Sequence, residues 1–182
     1  MKALCLVSCL DINLPHAATP YILQFISNLT NLFTKLTVLP YRGRTIKRSY
    51  ETKAIQYLSN PNLLPAEFGY YIFSNFFRRL CRSRKTMDTI FITLANNLAG
   101  ENLFTYLKKK LPLNNYDLVL IIGVPICQIE VFLRNLKQCY DLPIVCYDLD
   151  FPTTLPRFGG FSVPFYSEDA LSHIDLVVVP CE

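Results

Sequence analysis

Two histidines, six glycines and no pair of cysteines at CxxC spacing are what this 182-residue sequence has to offer in the usual metal and phosphate currencies. A zinc knuckle needs paired thiolates or imidazoles, so no metal is expected. The seven cysteines are an odd number, and Cys5, Cys9, Cys127, Cys139 and Cys146 fall in or beside apolar segments. They read as buried thiols in a reducing cytoplasm. Charge is also scarce: Asp, Glu, Lys and Arg make up 18% of the chain, against about a quarter in an average soluble protein. That deficit points to buried parallel strands, an apolar surface, or both. No stretch has the length of a transmembrane helix. The apolar opening, Met1 to Leu10, is followed by Asp11 and Pro15 before any cleavage site for a signal peptide, and reads as a first strand. Repeats and low-complexity segments are absent.

What is present is apolar and locally basic. Hydrophobic residues make up 51% of the chain, enough for a sizeable core in one domain spanning 1–182. The net charge of +4 is gathered in clusters: Arg42, Arg44, Lys47 and Arg48; then Arg78, Arg79, Arg82, Arg84 and Lys85; then Lys108 to Lys110. Such clusters attract phosphates, whether of nucleotides, lipid headgroups or nucleic acid.

Taken in order, the chain alternates strand and helix. Lys2 to Ser8 is apolar throughout and reads as a central strand. Pro20 sits where a helix tolerates proline, and Tyr21, Ile22, Phe25, Ile26, Leu29 and Leu32 recur at helical spacing through about Phe33. Leu36 to Leu39 is the second strand, completing a βαβ unit that implies parallel pairing. Residues 44–115 break this rhythm as a helical excursion. Within it, Ala66 to Arg84 divides into an apolar face (Gly69, Ile72, Phe73, Phe76, Phe77, Leu80) and a polar one, and Asp88 to Lys110 reads as a helix interrupted at Gly100. Asp117 to Gly123 is a strand, Ile126 to Tyr140 a helix. Ile144 to Tyr147 and Leu176 to Val179 have the composition of buried strands, with one possible helical turn, Ser167 to Leu171, between them. The expected fold is α/β, a Rossmann-like parallel sheet of five to six strands with helices on both faces.

Four short motifs give this layout a family resemblance: KLTVLPYRG around the second strand, YDLVLIIG, CYDLDFPTTLPRFGGF and HIDLVVVPCE. Together they resemble the amino-terminal, acceptor-side domain of a GT-B fold glycosyltransferase, of the retaining family 4 type. The resemblance implies a domain that binds an acceptor and contributes part of a cleft. The nucleotide-sugar donor would sit mainly on a second half or partner, so no cofactor is assigned to this chain and sugar transfer in isolation is not expected. The chain departs from that family in the loop after the first strand, SCLDINLPHAATP, which has no glycine.

By that resemblance, the acceptor or ligand would meet Asn13, Arg42, Gly43, Gly123, Pro125, Asp148, Asp150, Gly159 and Gly160, in the loops that follow the strands. His16, near its reference pKa, is the candidate base that would deprotonate an acceptor hydroxyl, with Asp11 to orient it. The residues by themselves favour a loop or capping histidine. Asp148 and Asp150, two apart on an extended segment, could face a hard cation or simply form a turn before Pro152. The aromatic helix supports a different reading, a non-catalytic binding or scaffold protein. Ile72, Phe73, Phe76 and Phe77 could enter a membrane interface or a protein partner, with Arg78, Arg79 and Arg82 on anionic headgroups. The aromatics share one stripe and do not interleave with the basic residues, so nucleic acid is not an expected partner. The expected location is the cytoplasm, at a membrane surface if that helix attaches there.

Overall fold

The computed structural model describes residues 1–7, 19–40, 55–57, 84–124, 126–147 and 168–179. These form a six-stranded, wholly parallel sheet in the order β3-β2-β1-β4-β5-β6. The strands are β1, Lys2–Val7; β2, Lys35–Pro40; β3, Ile55–Tyr57; β4, Leu118–Ile122; β5, Ile144–Tyr147; and β6, Leu176–Val178. The helices are α1, Thr19–Leu29; α2, Arg84–Lys110; α3, Glu130–Tyr140; and the single turn α4, Glu168–Leu171. The fold is thus Rossmann-like α/β, as the alternation predicts.

Strand pleating sorts the core into two layers. Ala3, Cys5 and Val7 of β1 face α1, where Ile22 and Ile26 are fully buried with Leu36 and Val38 of β2. Leu4 and Leu6 face the opposite way, into a cluster with Leu103 and Leu107 of α2 and Phe132, Leu133 and Leu136 of α3. Helices therefore cover both faces. In the second layer the Thr37 and Tyr116 hydroxyls lie 2.8 Å apart, which pairs the two polar groups in that apolar setting. Cys5, Cys127 and Cys146 are buried, and burial pushes the Cys5 thiol far above its ordinary pKa, which leaves it inert. Cys139, expected to be buried, is exposed.

Two aspartates fix the register at the amino edge. The Asp117 carboxylate accepts the Lys2 N–H at 2.7 Å, and its own N–H donates to the Lys2 carbonyl at 2.9 Å. Asp175 does the same to the first residue of β5, accepting from the Ile144 N–H at 2.7 Å and donating to the Ile144 carbonyl at 2.9 Å. These are the aspartates of the YDLV and IDLV motifs, and their task here is to tie backbone. Asp175 also takes the Lys137 ammonium of α3 at 2.6 Å.

Several expectations need correction. The 44–115 stretch holds a strand, β3, that its sequence hides: IQY is too short to show a period. Helix α2 begins at Arg84 and runs without a break through Gly100, because the glycine serves packing. A Cβ there would come 3.0 Å from both the Phe132 nitrogen and the Val131 Cβ of α3. Helix α1 ends at Leu29, so Leu32 is 66% exposed. The helix expected from Ile126 begins with a 3-10 turn, Ile126–Gln128, and becomes α-helical at Glu130. Strand β6, expected to be buried, is an exposed edge: Leu176 is 55% and Val177 36% accessible.

Two measurements follow. Gly100→Val should lower unfolding free energy in urea by about 1–3 kcal/mol through overpacking against α3. The Lys137 ammonium, and next the Ile144 N–H, hold the Asp175 carboxyl below its ordinary value of 3.8. The ionised form therefore stabilises the fold above that pH, and the contribution is lost as pH falls through the lowered folded-state value. Asp175→Asn should be less stable than wild type at pH 7, with the gap closing in denaturant titrations run progressively below pH 3.8.

Candidate functional site: the carboxyl edge of the sheet

In this strand order β1 and β4 are neighbours whose connections leave in opposite directions. The chain leaves β1 for α1 on one face, and leaves β4 for α3 on the other. The gap between those departures is the topological switch point, where open α/β sheets bind ligands outside the carboxyl ends of the strands. Here the last rung of the sheet is a single cross-strand row, Pro40, Val7, Ile122, Tyr147 and Val178.

Three described features build the rim. Gly123, directly after β4, has φ of 60°, a left-handed conformation that glycine adopts without Cβ strain, and its N–H donates to the Tyr147 carbonyl at 3.0 Å. That bond carries the β4–β5 pairing one residue past the strand and turns the backbone at the switch point. Tyr147, the last residue of β5, stacks on Phe25 of α1 with ring centroids 4.8 Å apart at 18°. Its hydroxyl lies 3.5 Å from that of Tyr21, in the first turn of α1. The Tyr21 hydrogen bond, with partial burial behind it, pushes the Tyr147 phenol above its ordinary value. The Tyr147 phenol therefore stays protonated at physiological pH and can donate or accept.

Of the residues singled out from the sequence, Gly123 is the one described, and it stands at the switch point. Asp11, Asn13, His16, Arg42, Gly43, Pro125, Asp148, Asp150, Gly159 and Gly160 lie outside the described residues. So do Ile72, Phe73, Phe76, Phe77, Arg78, Arg79 and Arg82. Among the described residues no group of His, Cys, Asp or Glu could hold a metal ion, and no helix is long and apolar enough to cross a membrane. Sequence reasoning missed Tyr21, Phe25 and Tyr147, which it absorbed into apolar periodicity. The available signal was a tyrosine closing a buried strand, a side chain that keeps a polar tip.

Comparison with solved structures finds a likeness to the glycosyltransferase SnogD from Streptomyces nogalater. The identity is 13% and the TM-score 0.41, over 98% of this chain and 44% of that one. This chain therefore spans less than half the length of SnogD. A likeness of that size carries no inference about activity. No protein-family model matches the chain, and no curated protein is found similar to it.

Gly123→Ala should cost about 1–2 kcal/mol, the steric penalty of a left-handed non-glycine residue, read as a shift in urea midpoint at unchanged slope.

Proposed function

We propose that this chain is the acceptor-side half of a GT-B-like glycosyltransferase, binding a sugar-bearing acceptor at the carboxyl edge of its sheet. The nucleotide-sugar donor would be held mainly by a second half or a partner chain, with which this one would complete the transfer. One observation carries the reading. The strand order creates a switch point between β1 and β4, and the chain leaves β1, β2, β4 and β5 at that edge immediately before Asp11 to His16, Arg42 and Gly43, Pro125, and Asp148 to Gly160. In support, three motifs of the resemblance include β2, β4 and β6, and the fourth opens on the last two residues of β5, Cys146 and Tyr147. The described rim at the switch point (Val7, Ile122, Gly123, Val124, Tyr147 and Tyr21) carries no formal charge, which suits a neutral acceptor better than a diphosphate.

The test is a ¹H–¹⁵N correlation titration of the whole chain with a panel of methyl glycosides and, separately, UDP-glucose. At least one glycoside should shift the Gly123, Val124 and Tyr147 amides saturably, with UDP-glucose weaker at the same amides. Tight UDP-glucose binding without any glycoside response would make this a donor-side domain. Silence from both would remove the glycosyltransferase reading.

A further inference from the structure

The two faces of the sheet are covered unequally. On the α2 and α3 side, the row Leu39, Leu6, Ile121 and Cys146 is no more than 1% exposed in any member, and exposure begins only at the edge strand, with Val177 at 36%. On the α1 side, the equivalent row begins buried at Val38 and Cys5, becomes half-buried at Leu120 and Val145, and ends at Leu176, 55% exposed. Helix α1 shelters β2 and β1, and the cover extends to Ile122 of β4, 1% exposed, and through Phe25 to the Tyr147 ring of β5. Beyond that lies an apolar shelf with Leu120, Val145, Leu176 and Val178 as floor and Tyr21 and Phe25 as wall.

Among the described residues the polar groups on the shelf are the Tyr21 and Tyr147 hydroxyls, at its carboxyl end. Their separation of 3.5 Å is well beyond the roughly 2.7–2.8 Å of a well-made O–H···O bond. Each phenol keeps donor and acceptor capacity that the other does not use. A third hydroxyl seated against both would make two shorter bonds in place of one long one. The floor carries no charge, so an ammonium or phosphate laid there would lose hydration without compensation.

We infer that this shelf binds a neutral amphiphile, a glycoside whose sugar hydroxyl bridges Tyr21 and Tyr147 and whose apolar aglycone lies across Val145, Leu176 and Val178. The inference rests on the acceptor-side reading and names the acceptor class: a sugar carried on an apolar group. Apolar burial supplies the affinity, and the phenol pair sets which end of the molecule faces the switch point.

The probe is n-octyl β-D-glucopyranoside, kept below its micelle-forming concentration and titrated into the ¹⁵N-labelled chain. Saturable shifts are expected at Leu120, Val145, Leu176 and Val178. Tyr147→Phe and Tyr21→Phe should each weaken binding about three- to tenfold, the usual worth of one hydrogen bond. Leu176→Ser, at a side chain already largely exposed, should weaken it several-fold without unfolding the protein. Methyl β-D-glucopyranoside should bind more weakly at the same phenols. Shelf amides that stay still, or Phe variants that bind like wild type, would overturn the shelf assignment. The acceptor-side reading would survive that outcome if methyl glycosides still shift Gly123. A dimer in light scattering that Leu176→Ser dissolves, with no octyl glucoside response, would give the shelf to a second copy and overturn the inference.

Discussion

A parallel sheet has no hairpin turns to set its register, and here two carboxylates take that role. Asp117 and Asp175 each exchange two hydrogen bonds with the first residue of a neighbouring strand. Side chains alternate faces every residue, so a slip of one position in β4 would send Val119 and Ile121 out of the α2–α3 layer and bring Leu118 and Leu120 into it. Both cores depend on that choice, and so does the carboxyl edge. With the amino ends aligned, Val7, Ile122 and Tyr147 finish on one rung, and the departures of β1 and β4 open a gap at a defined place.

Helix lengths and landing points then determine what is covered. Helix α2 spans 27 residues, about 40 Å of helix against a strand length of under 20 Å, so only part of it can lie on the sheet. Gly100, Leu103 and Leu107 in its second half are buried, and among the described side chains earlier in the helix Leu94 and Leu98 are exposed. Helix α3 lies beside that second half and completes the cover of β4 and β5 on this face. Helix α1, with 11 residues, buries Ile22 and Ile26 on the other face, over β1, β2 and the carboxyl end of β4. The described helices thus cover the two faces of the sheet unequally.

How much of this could be read from the residues depends on the length and contrast of each segment. Strands β1, β4 and β5 announce themselves because a buried parallel strand is an unbroken apolar run, and α1 because its apolar residues recur at helical spacing. Strand β3 is a three-residue IQY with no period to detect. Burial of β6 was expected from composition, yet LVV has the same composition at an edge as in a centre; only the neighbouring strand decides, and neighbours are not local information. Gly100 reads as a helix breaker when the chain is taken alone and as a helix contact once α3 is beside it. The aspartates of YDLV and IDLV carry no sequence signal of their role, which is to accept hydrogen bonds from the backbone N–H groups of Lys2 and Ile144. Tyr21 and Tyr147 are 126 positions apart in sequence, and no pattern in either segment predicts that their hydroxyls meet.

That meeting separates the ways in which the exposed shelf could be covered. A polypeptide helix laid over Leu120, Val145 and Leu176 would bury apolar surface well, at about 25 cal/mol per Å². Its backbone N–H and C=O groups are already paired internally, so it would bury two phenols without completing their hydrogen bonds unless a polar side chain fell at that one point. An added strand at the β6 edge would satisfy backbone groups and leave the phenols where they are. A sugar on an apolar carrier has the complementary division of labour: hydroxyls concentrated at one end, hydrocarbon at the other. On this floor the hydroxyl end has one place to go, and that place adjoins the switch point at which β1 and β4 part.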